Sequence, residues 1–126
     1  MSKTFKSYRD LEVWKRAMKL AKRIYRVTSR FPADERFGLT NQIRRAAVSI
    51  PSNLAEGHAR SGPAEFGRFI SIAMGSVAEV ETQLLLAVDL NYTDQEATAP
   101  ILEELDVIGK MLRGLSKSII ARKPLR

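Results

Sequence analysis

Seven cationic side chains crowd one stretch near the start of the chain: Lys15, Arg16, Lys19, Lys22, Arg23, Arg26 and Arg30. At 100° per residue, Lys15, Lys19, Lys22 and Arg26 line the centre of one helical face, with Arg16, Arg23 and Arg30 beside them. From Lys15 to Arg26 the stripe is ~16 Å long at the α-helical rise, enough to follow a phosphate backbone. Such a row supplies point charges and guanidinium forks, the chemistry of phosphate binding. Trp14 and Tyr25 fall on the opposite, apolar arc, so they are expected to pack rather than stack on bases. Nothing in the pattern predicts base readout, and the expected binding has little sequence preference.

Other chemistry is poorly represented. The best catalytic constellation is Asn53, Glu56, His58 and Arg60, with Ser49 one turn before Asn53. Capping, a contact between subunits or a surface ion pair explains these residues more simply, since Glu56 and Arg60 stand at favourable i,i+4 spacing. His58 is the single histidine and the chain has no cysteine, which removes thiolate chemistry and the two-histidine metal motifs. Glycines flank helix breaks (Gly57, Gly62) or stand inside apolar-periodic segments (Gly67, Gly75, Gly109, Gly114), so no phosphate-cradling loop is formed. Gly75-Ser76 reads as a place for helices to approach closely. The expectation is a protein without enzymatic activity, cofactor or metal.

The formal charge is +7, and it is unevenly placed. Residues 1–30 carry ten basic and two acidic side chains, whereas residues 61–92 carry one basic and four acidic ones. That asymmetry points to an anionic partner, nucleic acid first, with an acidic protein docked by an adaptor scaffold as the alternative. A membrane surface fits less well, because the apolar arc behind the stripe is committed to a core. The chain of 126 residues, 44% hydrophobic and 28% charged, has the composition of one globular domain spanning 1–126. Its longest uninterrupted apolar run, Leu84 to Val88, is far short of a membrane span, and no secretory signal is visible, so a cytoplasmic location is expected.

Four amphipathic segments position these residues. Apolar spacing is helical throughout, predicting helices near 9–30, 35–59, 63–90 and 94–121. Phe31-Pro32 ends the first. Pro51 is expected to kink the second rather than end it. Gly62 as N-cap with Pro63 at the first helical position starts the third. Thr93 with Glu96 has the capping-box pattern for the fourth. Leu84, Leu85, Leu86, Val88 and Leu90 point all round the third helix and should be buried all round. The tail Arg122-Lys123-Pro124-Leu125-Arg126 reads as loose.

Short connections between such segments predict an all-α, antiparallel, up-down-up-down four-helix bundle. The apolar seams suggest a register that pairs Ile43 with Val80, Ala46 with Val77, Ile50 with Ala73, Leu54 with Phe69 and Gly57 with Phe66. The same register predicts a structural ion pair between Glu79 and Arg44 or Arg45. Val13, Leu20, Val27, Leu85, Leu86, Val88, Val107 and Met111 lie off the main seams, and an apolar patch of that extent predicts an oligomer.

The segment Arg44-Arg45-Ala46-Ala47-Val48-Ser49-Ile50-Pro51-Ser52-Asn53-Leu54-Ala55-Glu56-Gly57 is distinctive. With Leu11-Glu12-Val13-Trp14, Phe31-Pro32, Phe37-Gly38-Leu39 and Phe69-Ile70-Ser71-Ile72-Ala73-Met74-Gly75-Ser76, it resembles the four-helix-bundle proteins related to those encoded in 23S ribosomal RNA intervening sequences. The resemblance covers roughly residues 5–120. It implies a ring-like homopentamer and no established enzymatic activity. A more distant likeness is to the accessory variability proteins of diversity-generating retroelements, basic pentamers that bind nucleic acid. Helical periodicity by itself gives no subunit count.

Overall fold

The computed structural model describes residues 7–121, with Ala121 by its backbone alone. The tail 122–126 lies outside the described residues. Four helices account for most of the chain: α1 (Glu12–Thr28), α2 (Leu39–Ala59), α3 (Pro63–Asp89) and α4 (Gln95–Ala121). No strand occurs among the described residues. Each helix packs on two others, α1 on α2, α2 on α3, α3 on α4 and α4 back on α1, enclosing one apolar core.

The core is built from the seams that periodicity marks. Ile43, Ala46, Ala47, Ile50 and Leu54 of α2 meet Ile70, Ala73, Val77, Val80 and Leu84 of α3 in one buried cluster. Ile101, Leu105, Ile108, Leu112 and Ile119 of α4 complete it, with Val13, Ala17, Leu20 and Ile24 of α1. Val13 and Leu20, expected off the seams, are therefore core residues. One helix, α3, is long and apolar enough by length and composition to cross a membrane, but its seam is spent on α2 and α4.

The α2–α3 contact is the most extensive between helices among the described residues. A Cβ placed on Gly57 would stand 2.5 Å from Phe69 Cβ and 3.2 Å from Phe66 Cδ1. The expected neighbours Gly57 and Phe66 thus meet. Farther along, Ser49 Oγ and Ser76 Oγ share a hydrogen bond of 2.9 Å, two residues on from the partner that the register assigns to Ser49. Gly75 is not a point of approach: a Cβ there would meet nothing within 4 Å. Pro51 is buried inside α2, which continues through it to Ala59.

Helix ends differ from expectation where side chains compete for the caps. A 3₁₀ turn at Tyr8–Asp10, capped by the Ser7 side chain, precedes α1. A second turn at Ala33–Glu35 precedes α2, which starts at Leu39 rather than near Glu35. The reason is Glu35 itself, whose carboxylate accepts from the Leu39 N–H at 2.9 Å and so serves as the cap of α2 from outside it. Gly62 and Pro63 start α3 as expected, with Gly62 at φ 84°. α4 is capped by Asp94, which accepts from the Ala97 N–H at 2.8 Å, and the Thr93–Glu96 box does not form. Pro100 lies inside α4 without interrupting it.

α3 ends in a left-handed residue, Asn91 at φ 63°, with Tyr92 N donating to Ala87 O and Asn91 N to Val88 O. That turn brings the Tyr92 hydroxyl to Glu35, 2.7 Å away, and its ring against Phe31. Glu35 thus ties the loop after α3 to the start of α2. The Leu39 N–H, then the Tyr92 hydroxyl, hold the Glu35 carboxyl below its ordinary value. Hydrogen bonding to Glu35 in turn raises the Tyr92 phenol.

Two predictions follow from these contacts. Gly57→Ala should destabilise the fold by about 1–3 kcal/mol through overpacking, despite alanine's better helix propensity, as read by chemical denaturation. An alanine variant as stable as the parent would contradict the close approach. For Glu35, a depressed carboxyl contributes stability above its unfolded pKa, and this is lost as pH falls through the lower folded value. Glu35→Gln should therefore unfold more readily than the parent at neutral pH, and the gap should narrow as the solution is acidified. A gap independent of pH would contradict the carboxylate's role.

Candidate nucleic-acid interface

α1 divides along its length. Val13, Ala17, Leu20, Ala21, Ile24 and Thr28 are buried. On the other side Lys15, Lys19, Lys22, Arg26 and Arg30 are exposed, and Arg16 and Arg23 are half-buried. Arg16 alone is paired, its Nε 2.8 Å from Glu104 Oε2 of α4. That hydrogen bond, with the charge behind it, raises the Arg16 guanidinium above its ordinary value. Among the described residues no carboxylate lies within ion-pair distance of Lys15, Lys19, Lys22, Arg23, Arg26 or Arg30. The other ion pairs are local to one helix: Glu56–Arg60, Glu65–Arg68 and Asp106–Lys110.

Hollows border the stripe on both sides. On the α2 side a groove of about 600 Å³ is lined from α1 by Trp14, Met18, Ala21, Lys22, Tyr25 and Arg26, with Tyr8 at one end. Val48, Pro51, Ser52 and Ala55 of α2 form its other wall. On the α4 side, Arg23, Arg26 and Arg30 share a hollow of about 430 Å³ with Thr93 and Asp94. Arg26 borders both.

The aromatic residues divide as well. Trp14 is half-buried, packed edge-on against Tyr8 with ring centroids 5.2 Å apart. Tyr25 is 47% exposed, so the expectation that it packs inside holds only in part. One face of its ring carries the Arg44 guanidinium, 4.5 Å from the centroid.

Arg44 also explains why the expected ion pair with Glu79 does not form. Its Nε donates to Thr28 Oγ1 at 2.8 Å and its Nη2 to the Tyr25 carbonyl at 3.3 Å, so it turns towards α1 and away from α3. Arg45 and Glu79 are both exposed, and neither forms an ion pair among the described residues. Thr28 is the anchor that sequence reading missed: it completes a helix end through Ile24 O and still accepts from Arg44.

The Asn53, Glu56, His58 and Arg60 constellation comes apart. Asn53 Nδ2 donates to Ser49 O and Oγ, both at 2.8 Å, joining the serine pair between α2 and α3. Glu56 and Arg60 form an exposed pair, and His58 packs edge-on to Phe66. No group of three or more His, Cys, Asp or Glu placed to hold a metal occurs among the described residues.

With four helices and this polar pattern in place, sequence comparison decides the family. A model described as "23S rRNA-intervening sequence protein" matches residues 9–114. The chain belongs to this family. The crystal structure of a protein of unknown function from the S23 ribosomal protein family of Bacteroides thetaiotaomicron is similar to it, with 26% identity and a TM-score of 0.75. That similarity covers 83% of this chain and 98% of the other. No curated protein matches.

In this member of the 23S rRNA-intervening sequence protein family, Glu104 is the carboxylate that tempers the stripe. If the stripe takes a polyanion, Glu104→Gln should release Arg16 and steepen the salt dependence of that binding by up to about one unit of slope, near 0.9 per phosphate contact. An unchanged slope would place Arg16 outside the interface.

Proposed function

We propose that the protein is a non-enzymatic, oligomeric nucleic-acid-binding protein of the cytoplasm that contacts RNA or DNA phosphates through the exposed face of α1. The observation that carries this reading is the row Lys15, Lys19, Lys22 and Arg26, exposed and without carboxylate partners among the described residues. Cations at this spacing repel one another, and a polyanion relieves that repulsion while releasing its own counterions. Arg23 and Arg30 extend the track, and Arg16 joins it at its edge. Charge of this kind gives affinity without sequence preference.

Assembly belongs to the same reading. An antiparallel, up-down-up-down four-helix bundle accords with the Gly57–Phe66 and Ser49–Ser76 contacts. Leu85, Leu86 and Leu90, although α3 is apolar on all sides there, are about half exposed in the single chain. A neighbouring copy covering them would complete the burial that the sequence calls for, and a ring of five would repeat the cationic face around its circumference.

The test is equilibrium binding to an oligonucleotide across a salt series. The parent should lose affinity steeply, and the variant with Lys15, Lys19, Lys22 and Arg26 all changed to Glu should show a slope flatter by about 3–4 units. Equal slopes would remove α1 from the interface.

A further inference from the structure

We propose that the groove between α1 and α2 seats an unpaired nucleobase, so that the polyanion taken by this protein is single-stranded. The inference rests on the phosphate-binding reading and adds to it a choice of strand.

The groove has the chemistry of a stacking site. Trp14 and Tyr25 stand on the α1 wall with Met18 between them, and Lys22 and Arg26 border the same space. Among the described residues no carboxylate lines it. The indole is braced by the Tyr8 ring, which limits the freedom lost when a base packs on it. Tyr25 lines both this groove and a polar notch containing Arg44 and Arg45. Arg44 stacks on one face of that ring and borders the notch, and it is not among the residues that line the groove.

Position along the phosphate track selects the strand. Lys22 and Arg26 belong to the α1 stripe and to the groove at once, and Arg26 continues into the hollow where Arg23 and Arg30 outnumber the one carboxylate, Asp94. A strand whose phosphates follow the stripe therefore passes the mouth of the groove. Duplex bases are stacked on one another and turned inward, whereas a single strand can place a base in a side groove against aromatic rings. Stacking discriminates little among bases, so the site keeps the weak sequence preference expected of the stripe.

Trp14 is the chain's one tryptophan, so its fluorescence reports on the groove directly. Single-stranded oligothymidylate should quench it and bind roughly tenfold tighter than a duplex of equal length at the same salt. Tyr25→Ala should erase most of that preference while leaving duplex affinity and the salt slope unchanged, and Tyr25→Phe should retain it. Met18→Glu, which places a charge in the groove, should also erase the preference, while its pairing with Lys22 lowers the salt slope of both forms alike by up to about one unit, and it guards against a variant that fails to fold. Equal affinity for the two forms with silent Trp14 emission would overturn the base site and leave phosphate binding standing. Failure of both forms to bind at low salt would overturn both readings. A shift of Trp14 emission on raising protein concentration alone would show the groove filled by a second copy, which overturns the inference.

Discussion

Like charges three and four residues apart on one helix face repel, at about 0.2–0.5 kcal/mol per pair, and α1 accumulates them along its outer side. The helix does not form by balancing those charges, since among the described residues only Arg16 of the seven cations forms an ion pair, with Glu104. It forms because its other side is taken up by the core, where Ala17, Leu20 and Ile24 are fully buried. Burial of a large aliphatic side chain stabilises by roughly 1.5–3 kcal/mol, so two or three such residues outweigh the repulsion. The cationic face is thus held in place by contacts that have nothing to do with its charge.

The rest of the molecule makes that division rigid. Gly57 lets α2 lie close on α3, and the Ser49, Asn53 and Ser76 network fixes their relation with hydrogen bonds in a part-buried setting. Arg44 then carries the position of α2 to α1 by holding Thr28 and the Tyr25 ring. One arginine of the basic set is therefore structural and the α1 row is exposed, although composition alone treats them alike.

Much of the fold was legible in the sequence because burial imposes a period that survives without homologues. The facing seams Ile43 to Gly57 and Phe66 to Val80 were readable for that reason, as was the Gly62-Pro63 helix start. Local hydrogen-bond competition was not: Glu35 caps α2 from outside the helix, and Asp94 caps α4 in place of the expected Thr93. The choice of Arg44 between Glu79 and Thr28 depends on which way a long side chain turns, which helical spacing does not encode. Within the candidate site, the row of exposed cations was readable and the groove was not. The groove arises because Met18 and Tyr25 lie at the edge of the apolar arc, where α2 stops short of covering them.

The proposed interface puts a polyanion on the outer face of α1. The most direct measurement is an NMR titration with an oligonucleotide that follows the side-chain nitrogens of every lysine and arginine. Shifts should concentrate at Lys15, Lys19, Lys22 and Arg26, with Lys110 and Lys117 of α4 left unmoved. Shifts spread evenly over all the cations, or centred on α4, would contradict it.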